Sequence, residues 1–136
     1  GDELQNLKVG DQCLQDKVAD YVNEWGRDRK GVCGWSSVGA VVGATYPEEA
    51  IRLRESMPDT LFLIPGFGAQ GGSAAGAVTA LDKDGFGGVV NSSRGIIFAY
   101  RKAPYAQQFG EDAYDRAAEA ACLDAVSTLK SALEKK

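Results

Sequence analysis

The sequence predicts an α/β fold organised around a parallel sheet. Three observations point there: short apolar runs alternate with helix-patterned segments, those runs are apolar at nearly every position, and two of them lead directly into loops built from glycine or hydroxyl residues. Strands that are apolar on both faces are buried on both faces, which is the condition of a parallel sheet covered by helices.

The elements follow in order. Residues 12–25 place Leu14, Val18, Tyr21, Val22 and Trp25 at helical spacing, with Asp16, Asp20 and Glu24 between them and Gly26 as a stop. The preceding "GDELQNLKVGD" reads as polar loop, and its lack of an initiator Met suggests the middle of a longer sequence. "SSVGAVVGA", Ser36 to Ala44, is small and β-branched and is expected as a strand. "TYPEEAIRLRESM" starts a helix, with Thr45 and Glu48 placed for a capping box and Pro47 in the first turn. After the "PDT" turn, "LFLI" is the next strand, and it opens into "PGFGAQGG". Ser73 is placed to cap a helix whose buried side carries Ala74, Ala77, Val78 and Leu81. "DKDGFG" turns the chain into the strand "GVV", followed by "NSSRG" and the apolar "IIFAY". From about Glu111 a long helix is expected, with Tyr114, Ala118, Ala121, Ala125, Leu129 and Leu133 in phase.

Composition narrows the function classes. The chain has no histidine, which removes Ser-His-Asp, Cys-His and His-ligated zinc chemistry. A net charge of -4 without a Lys/Arg-dense stripe argues against nucleic acid as a partner. No apolar run approaches the ~20 residues needed to cross a bilayer, so no membrane partner is expected. Cys13, Cys33 and Cys122 are an odd, widely spaced set without metal-ligand spacing, read as reduced thiols of a cytoplasmic protein. "DKVAD", Asp16 to Asp20, puts a lysine between acids, but on the polar face of a helix where nothing would desolvate Lys17. "DKDG", Asp82 to Gly85, lacks the later ligands of a calcium loop and reads as a turn.

Two loops carry the functional expectation. In "PGFGAQGG", four glycines from Gly66 to Gly72 let backbone approach a ligand, and the loop follows a parallel strand, on the side of the sheet where α/β proteins bind. "NSSRG" also follows a strand and sets Ser92, Ser93 and Arg94 at the start of a helical turn, a combination suited to phosphate. In (β/α)8 barrels the loops after the last two strands commonly form such a site. Residues 1–136 therefore read as a single partial domain, a piece of a barrel whose sheet continues beyond three strands.

The segments "VGAVVGATYPEE", "LFLIPGFGAQGG" and "VVNSSRGIIFAY" resemble the carboxyl-terminal half of the orotidine 5'-phosphate decarboxylase family, in particular its longer bacterial subgroup. The resemblance implies strands six to eight of a (β/α)8 TIM barrel, at Ser36–Ala44, Leu61–Ile64 and Gly88–Val90. It implies an enzyme of pyrimidine biosynthesis, working as a homodimer without metal or organic cofactor, that converts orotidine monophosphate to uridine monophosphate and carbon dioxide. By position, Gln70 resembles the loop glutamine that reaches from the phosphate towards the base, and Arg94 the arginine paired with the 5'-phosphate. The backbone N–H groups of Ser93 and Arg94 would join it, Gly68 would belong to the closing loop, and Pro65 would lie near the reacting end of the base.

One departure limits what the chain can do. The family's Asp-x-Lys-x-x-Asp motif has no counterpart, because "DKVAD" lacks the spacer and sits on a helix. The chain is thus expected to hold the phosphate-gripping loops, to contain no catalytic residue of its own, and to need the missing amino-terminal half of the barrel. Two alternatives stand beside this: another phosphate-handling barrel enzyme resembling indole-glycerol-phosphate synthase, and a noncatalytic half-barrel that binds a phosphorylated ligand or assembles with another chain.

Overall fold

The structure is a computed structural model that describes residues 2–68 and 71–136. Its centre is a three-stranded parallel sheet in the order β3-β4-β5, formed by Ser36–Val41, Thr60–Ile64 and Gly88–Val90. Gly39, Ala40 and Val41 pair with Leu61, Phe62 and Leu63, and Phe62, Leu63 and Ile64 pair with Gly88, Val89 and Val90. Helix α3 (Pro47–Ser56) connects β3 to β4, and the short α4 (Ala74–Thr79) connects β4 to β5. Helix α2 (Leu14–Gly26) precedes the sheet; α5 (Ser93–Ile97), a 3-10 turn, α6 (Tyr105–Phe109) and α7 (Tyr114–Leu133) follow it.

The two faces of the sheet have different fates. Thr60, Phe62 and Ile64 point under the helices and are fully buried, packed with Leu53, Met57 and Val78. The alternate residues Val41, Leu61, Leu63 and Val89 face the other way and stay 42–70% exposed. They line an open apolar cleft of about 420 Å³. An apolar sheet face left bare is what part of a closed barrel would present, since closure normally fills it with side chains from the other strands.

Several expectations are corrected in detail. The amino-terminal polar segment contains a helical turn, α1 (Asp2–Gln5), and a hairpin of β1 (Lys8–Val9) with β2 (Gln12–Cys13), turned at Gly10 with φ 64°. β3 stops at Val41 rather than Ala44, although Val42 and Ala44 still donate to the carbonyls of Leu63 and Pro65 at 2.9 and 3.0 Å. The Thr45–Glu48 capping box does not form: Tyr46 is the N-cap, without a side-chain bond. Pro47, at the first helical position, has no N–H to satisfy and presets the helical φ, so a box is not needed there. Ser73 does cap α4, its Oγ accepting the Gly76 N–H at 2.9 Å.

In α2 the buried positions are Ala19 and Gly26, whereas Val18, Tyr21 and Trp25 are 45–59% exposed. The helix does end at Gly26, and the glycine there serves packing: a Cβ would run into the Ser36 side chain, so its absence lets α2 lie close on β3. The exposed rings of Tyr21 and Trp25 stack at 5.9 Å. In α7 the fully buried residues are Ala117 and Ala121, while Tyr114 is exposed and Ala118, Ala125, Leu129 and Leu133 are half-buried. Ala117 and Ala121 pack with Ala99, and their small side chains let the neighbouring segments approach α7.

One residue that periodicity passed over ties the sheet together. Arg54, near the end of α3, donates to the carbonyls of Ala80, Met57, Thr60 and Gly87 at 2.7–3.1 Å, and its guanidinium lies 3.7 Å from the Phe62 ring centroid. It thereby satisfies backbone from both β4's first residue and the turn into β5. Burial pulls its pKa below the ordinary arginine value, opposed by the nearby Asp82 and Asp59. Replacing Arg54 by Met keeps the stem and removes the donors. Hydrogen bonds from a charged group contribute about 1.5–3 kcal/mol, so this variant should lose on the order of 2–3 kcal/mol in urea unfolding. A loss below ~0.5 kcal/mol, the size of an ordinary surface change, would mean these bonds are not stabilising.

Candidate phosphate-binding site

Parallel pairing puts the carboxyl ends of β4 and β5 side by side. The Asn91 N–H donates to the Ile64 carbonyl at 2.9 Å, so the ladder runs to the last residue of β4 before the two loops diverge. Between them lies a cleft of about 180 Å³ lined by Pro65, Gly66, Phe67, Asn91, Ser92, Ser93 and Arg94. That is smaller than the ~300–1,000 Å³ of pockets that enclose a drug-sized ligand, and suits one polar group rather than a whole nucleotide.

The described residues of the glycine loop bond to one another. Gly66, Gly68 and Gly71 have φ of 96°, 75° and 87°, where a side chain would strain the backbone. The N–H groups of Gly68, Gly71 and Gly72 donate to the carbonyls of Gly72, Gly68 and Gly66, all at 3.0 Å. In this conformation those donors are consumed inside the loop, so Gly68 supplies a backbone angle rather than an N–H for an anion. Gly72 meets a second requirement: a Cβ on it would stand 2.7 Å from the Gly66 carbonyl oxygen and 3.0 Å from the Ala44 Cβ. Gln70, expected in the site, lies outside the described residues.

The second loop enters α5 through Ser92, the N-cap. The first-turn N–H groups of a helix have no partner within it, and they carry the positive end of its dipole. Arg94 is exposed and makes no ion pair among the described residues. The cleft lining contains this one guanidinium and no carboxylate. Pro65, half-buried, forms the β4 side. Pro65, Ser93 and Arg94 are thus brought to one cleft, whereas Gly68, next to Phe67 in the chain, does not line it.

The serine hydroxyls behave differently from the sequence expectation. Ser92 Oγ donates to the Phe67 carbonyl at 3.1 Å, and Ser93 Oγ to Asn91 Oδ1 at 2.9 Å. A hydroxyl has one proton, so in this arrangement neither offers it to an anion. Phe67 and Asn91, the acceptors, were not singled out by sequence, because a backbone carbonyl and a neighbouring amide leave no pattern at the level of residue types. The other candidate cluster stays structural. Asp16 lies 3.3 Å from Arg52 Nε, Asp20 accepts from Gln12, and Lys17 sits over the Tyr21 ring at 5.3 Å. Among the described residues no group of His, Cys, Asp or Glu is arranged to hold a metal ion, and no helix is long and apolar enough to cross a membrane.

No protein-family model matches the chain. Orotidine 5'-phosphate decarboxylase of Rhodopirellula baltica is 43% identical over 96% of this chain and 43% of its own length. That of Caldicellulosiruptor bescii is 48% identical over 73% of this chain and 32% of its own length. Among solved structures, Leishmania donovani OMP decarboxylase superposes with a TM-score of 0.61 at 35% identity, covering 94% of this chain and 43% of that one. Leishmania donovani UMP synthase gives 0.60 at 39% identity, covering 85% and 24%. The chain is therefore homologous to orotidine 5'-phosphate decarboxylases over nearly its whole length, with the α/β fold of part of their barrel, and spans less than half the length of these relatives.

The close approach at Gly72 is testable by Gly72→Ala. Overpacking of this kind costs typically ~1–3 kcal/mol, and the variant should unfold at correspondingly lower urea concentration. Stability equal to the unsubstituted protein would show that Gly72 is not closely packed against Gly66 and Ala44.

Proposed function

We propose, from this homology, that the chain is the carboxyl-terminal, phosphate-holding part of an orotidine 5'-phosphate decarboxylase. The observation that carries the reading is the single cleft on which Pro65, the start of α5 and Arg94 meet, with one cation and no carboxylate in its lining. The ligand is a nucleoside monophosphate. Its phosphate lies against the first-turn N–H groups of Ser93 and Arg94, with the Arg94 guanidinium as counter-ion. Pro65 borders the base, and the Gln70 amide reaches from the phosphate towards it as the glycine loop closes.

This half of the reaction is binding that is used in the transition state. Contacts to a nonreacting phosphate accelerate chemistry only where they strengthen as the barrier is crossed, for example by stabilising a closed loop that excludes water. Arg94 is exposed, so in the open form its attraction for a dianion is screened by solvent and salt. Closure over the phosphate removes that screening. Proton transfer to the base carbon is assigned to the Lys/Asp motif of the other half of the barrel, and no residue of this chain takes that part. Neither metal nor organic cofactor enters.

The bare inner face of the sheet supports the rest of the proposal. Val41, Leu61, Leu63 and Val89 need cover, and the amino-terminal half of the same barrel supplies it. The complete protein acts as a homodimer in the cytoplasm. A noncatalytic half-barrel assembled with another chain would cover the same residues, and activity separates the two readings.

In the complete protein, Arg94→Ala should lower kcat/KM for orotidine monophosphate at least ~10-fold, equivalent to ~1.4 kcal/mol. An unchanged value would remove Arg94 from the site. The 136-residue chain alone should release no carbon dioxide from orotidine monophosphate, and turnover by the purified chain would contradict the division of labour.

A further inference from the structure

Ser92 occupies a position where its hydroxyl has an ordinary local use and does not take it. Serine at an N-cap normally accepts a hydrogen bond from its own helix, two or three residues on. Here the N-cap of α5 makes no side-chain capping bond, and its Oγ donates instead to the Phe67 carbonyl at 3.1 Å, twenty-five residues away. The acceptor is the residue immediately before Gly68, which takes up a left-handed φ of 75°. Phe67 also bridges to Gly72 where the loop closes on itself.

The space for this hydroxyl is provided by glycine. A Cβ on Gly95 would stand 2.7 Å from Ser92 Oγ, closer than real Cβ contacts come, and one on Gly68 would stand 3.8 Å away. Gly95 does not need a left-handed φ; its requirement is room. The bond therefore joins the loop after β5 to the root of the loop after β4, at the cleft between them.

We infer that Ser92 is a positioning residue: its hydroxyl latches the root of the glycine loop to the Arg94-bearing loop, so that the two reach a phosphate as one preformed cleft. On the phosphate reading above, Ser92 does not touch the ligand. It acts by holding Phe67 and the start of the glycine loop in register with Arg94, and it keeps its hydroxyl off the first turn of its own helix. Removing it lets the loop root open, and the phosphate must then order it.

Two variants of the complete protein perturb the same bond from opposite sides. Ser92→Ala deletes the donor, and Gly95→Ala pushes it aside while favouring the helix that contains it. Amide hydrogen exchange of residues 66–68 and 71–72, measured without ligand, should accelerate at least ~5-fold in both. Uridine monophosphate should bind ~5–10-fold more weakly to both, with uridine affinity unchanged. Unaltered exchange in folded Ser92→Ala overturns the latch, whatever the binding result. Faster exchange with unaltered uridine monophosphate affinity overturns its role in phosphate binding. Should the unsubstituted protein bind uridine monophosphate no better than uridine, the phosphate reading fails, and the ligand-free exchange still decides whether the latch exists. If Ser92→Ala does not fold, Gly95→Ala carries the same two measurements.

Discussion

The in-register parallel pairing of Ile64 with Val90 is the constraint on which the site depends. It brings two turns, which leave the sheet after Ile64 and Val90, to the same end of the sheet. The bond from the Asn91 N–H to the Ile64 carbonyl extends that register to the point where both chains leave the sheet. A one-residue slip would invert which side chains of β5 face the helices, and it would displace Arg94 from Pro65 and Phe67. The local features of the site, positive φ angles and a short helix start, have functional meaning only because the ladder delivers them together.

The same pairing is protected from the opposite end. Arg54 reaches from α3 to the carbonyls of Thr60 and Gly87, which begin β4 and precede β5. It is a half-buried cation whose desolvation is offset by carbonyl oxygens and by the face of Phe62. The carboxyl ends of the strands are thus left free for loops that consume glycine for geometry, while a charged group holds the amino ends. The Lys136 ammonium plays a related part, donating to the carbonyls of Val78, Leu81 and Asp82 at the end of α4.

Much of this was legible in the sequence, and the failures have physical causes. "LFLI" and "GVV" read correctly as strands because a strand buried by helices has little choice of composition. The Ser73 cap was legible because a hydroxyl at a helix start has a local mechanism, here the bond from the Gly76 N–H. The face of α2 was legible only in part: Val22 packs against the core, but Ala19 and Gly26 took the innermost positions rather than Val18, Tyr21 and Trp25, because the distance between helix and sheet, which sequence does not contain, favours small residues. Nothing in the sequence pattern marked Arg54, since two of its acceptors, the Ala80 and Gly87 carbonyls, belong to segments distant in sequence. For the same reason the hydroxyl of Ser92 looked like a phosphate ligand, whereas it donates its hydrogen bond to the Phe67 carbonyl.

The loops after β4 and β5 are proposed to close on one phosphate. A crystal structure of the complete protein with uridine monophosphate tests it most directly. The phosphate should lie between Pro65–Gly68 and Ser93–Arg94, with guanidinium nitrogens at about 2.7–2.9 Å from its oxygens, the spacing of charge-assisted hydrogen bonds. A nucleotide whose phosphate is held elsewhere, with Arg94 still facing solvent, would contradict it.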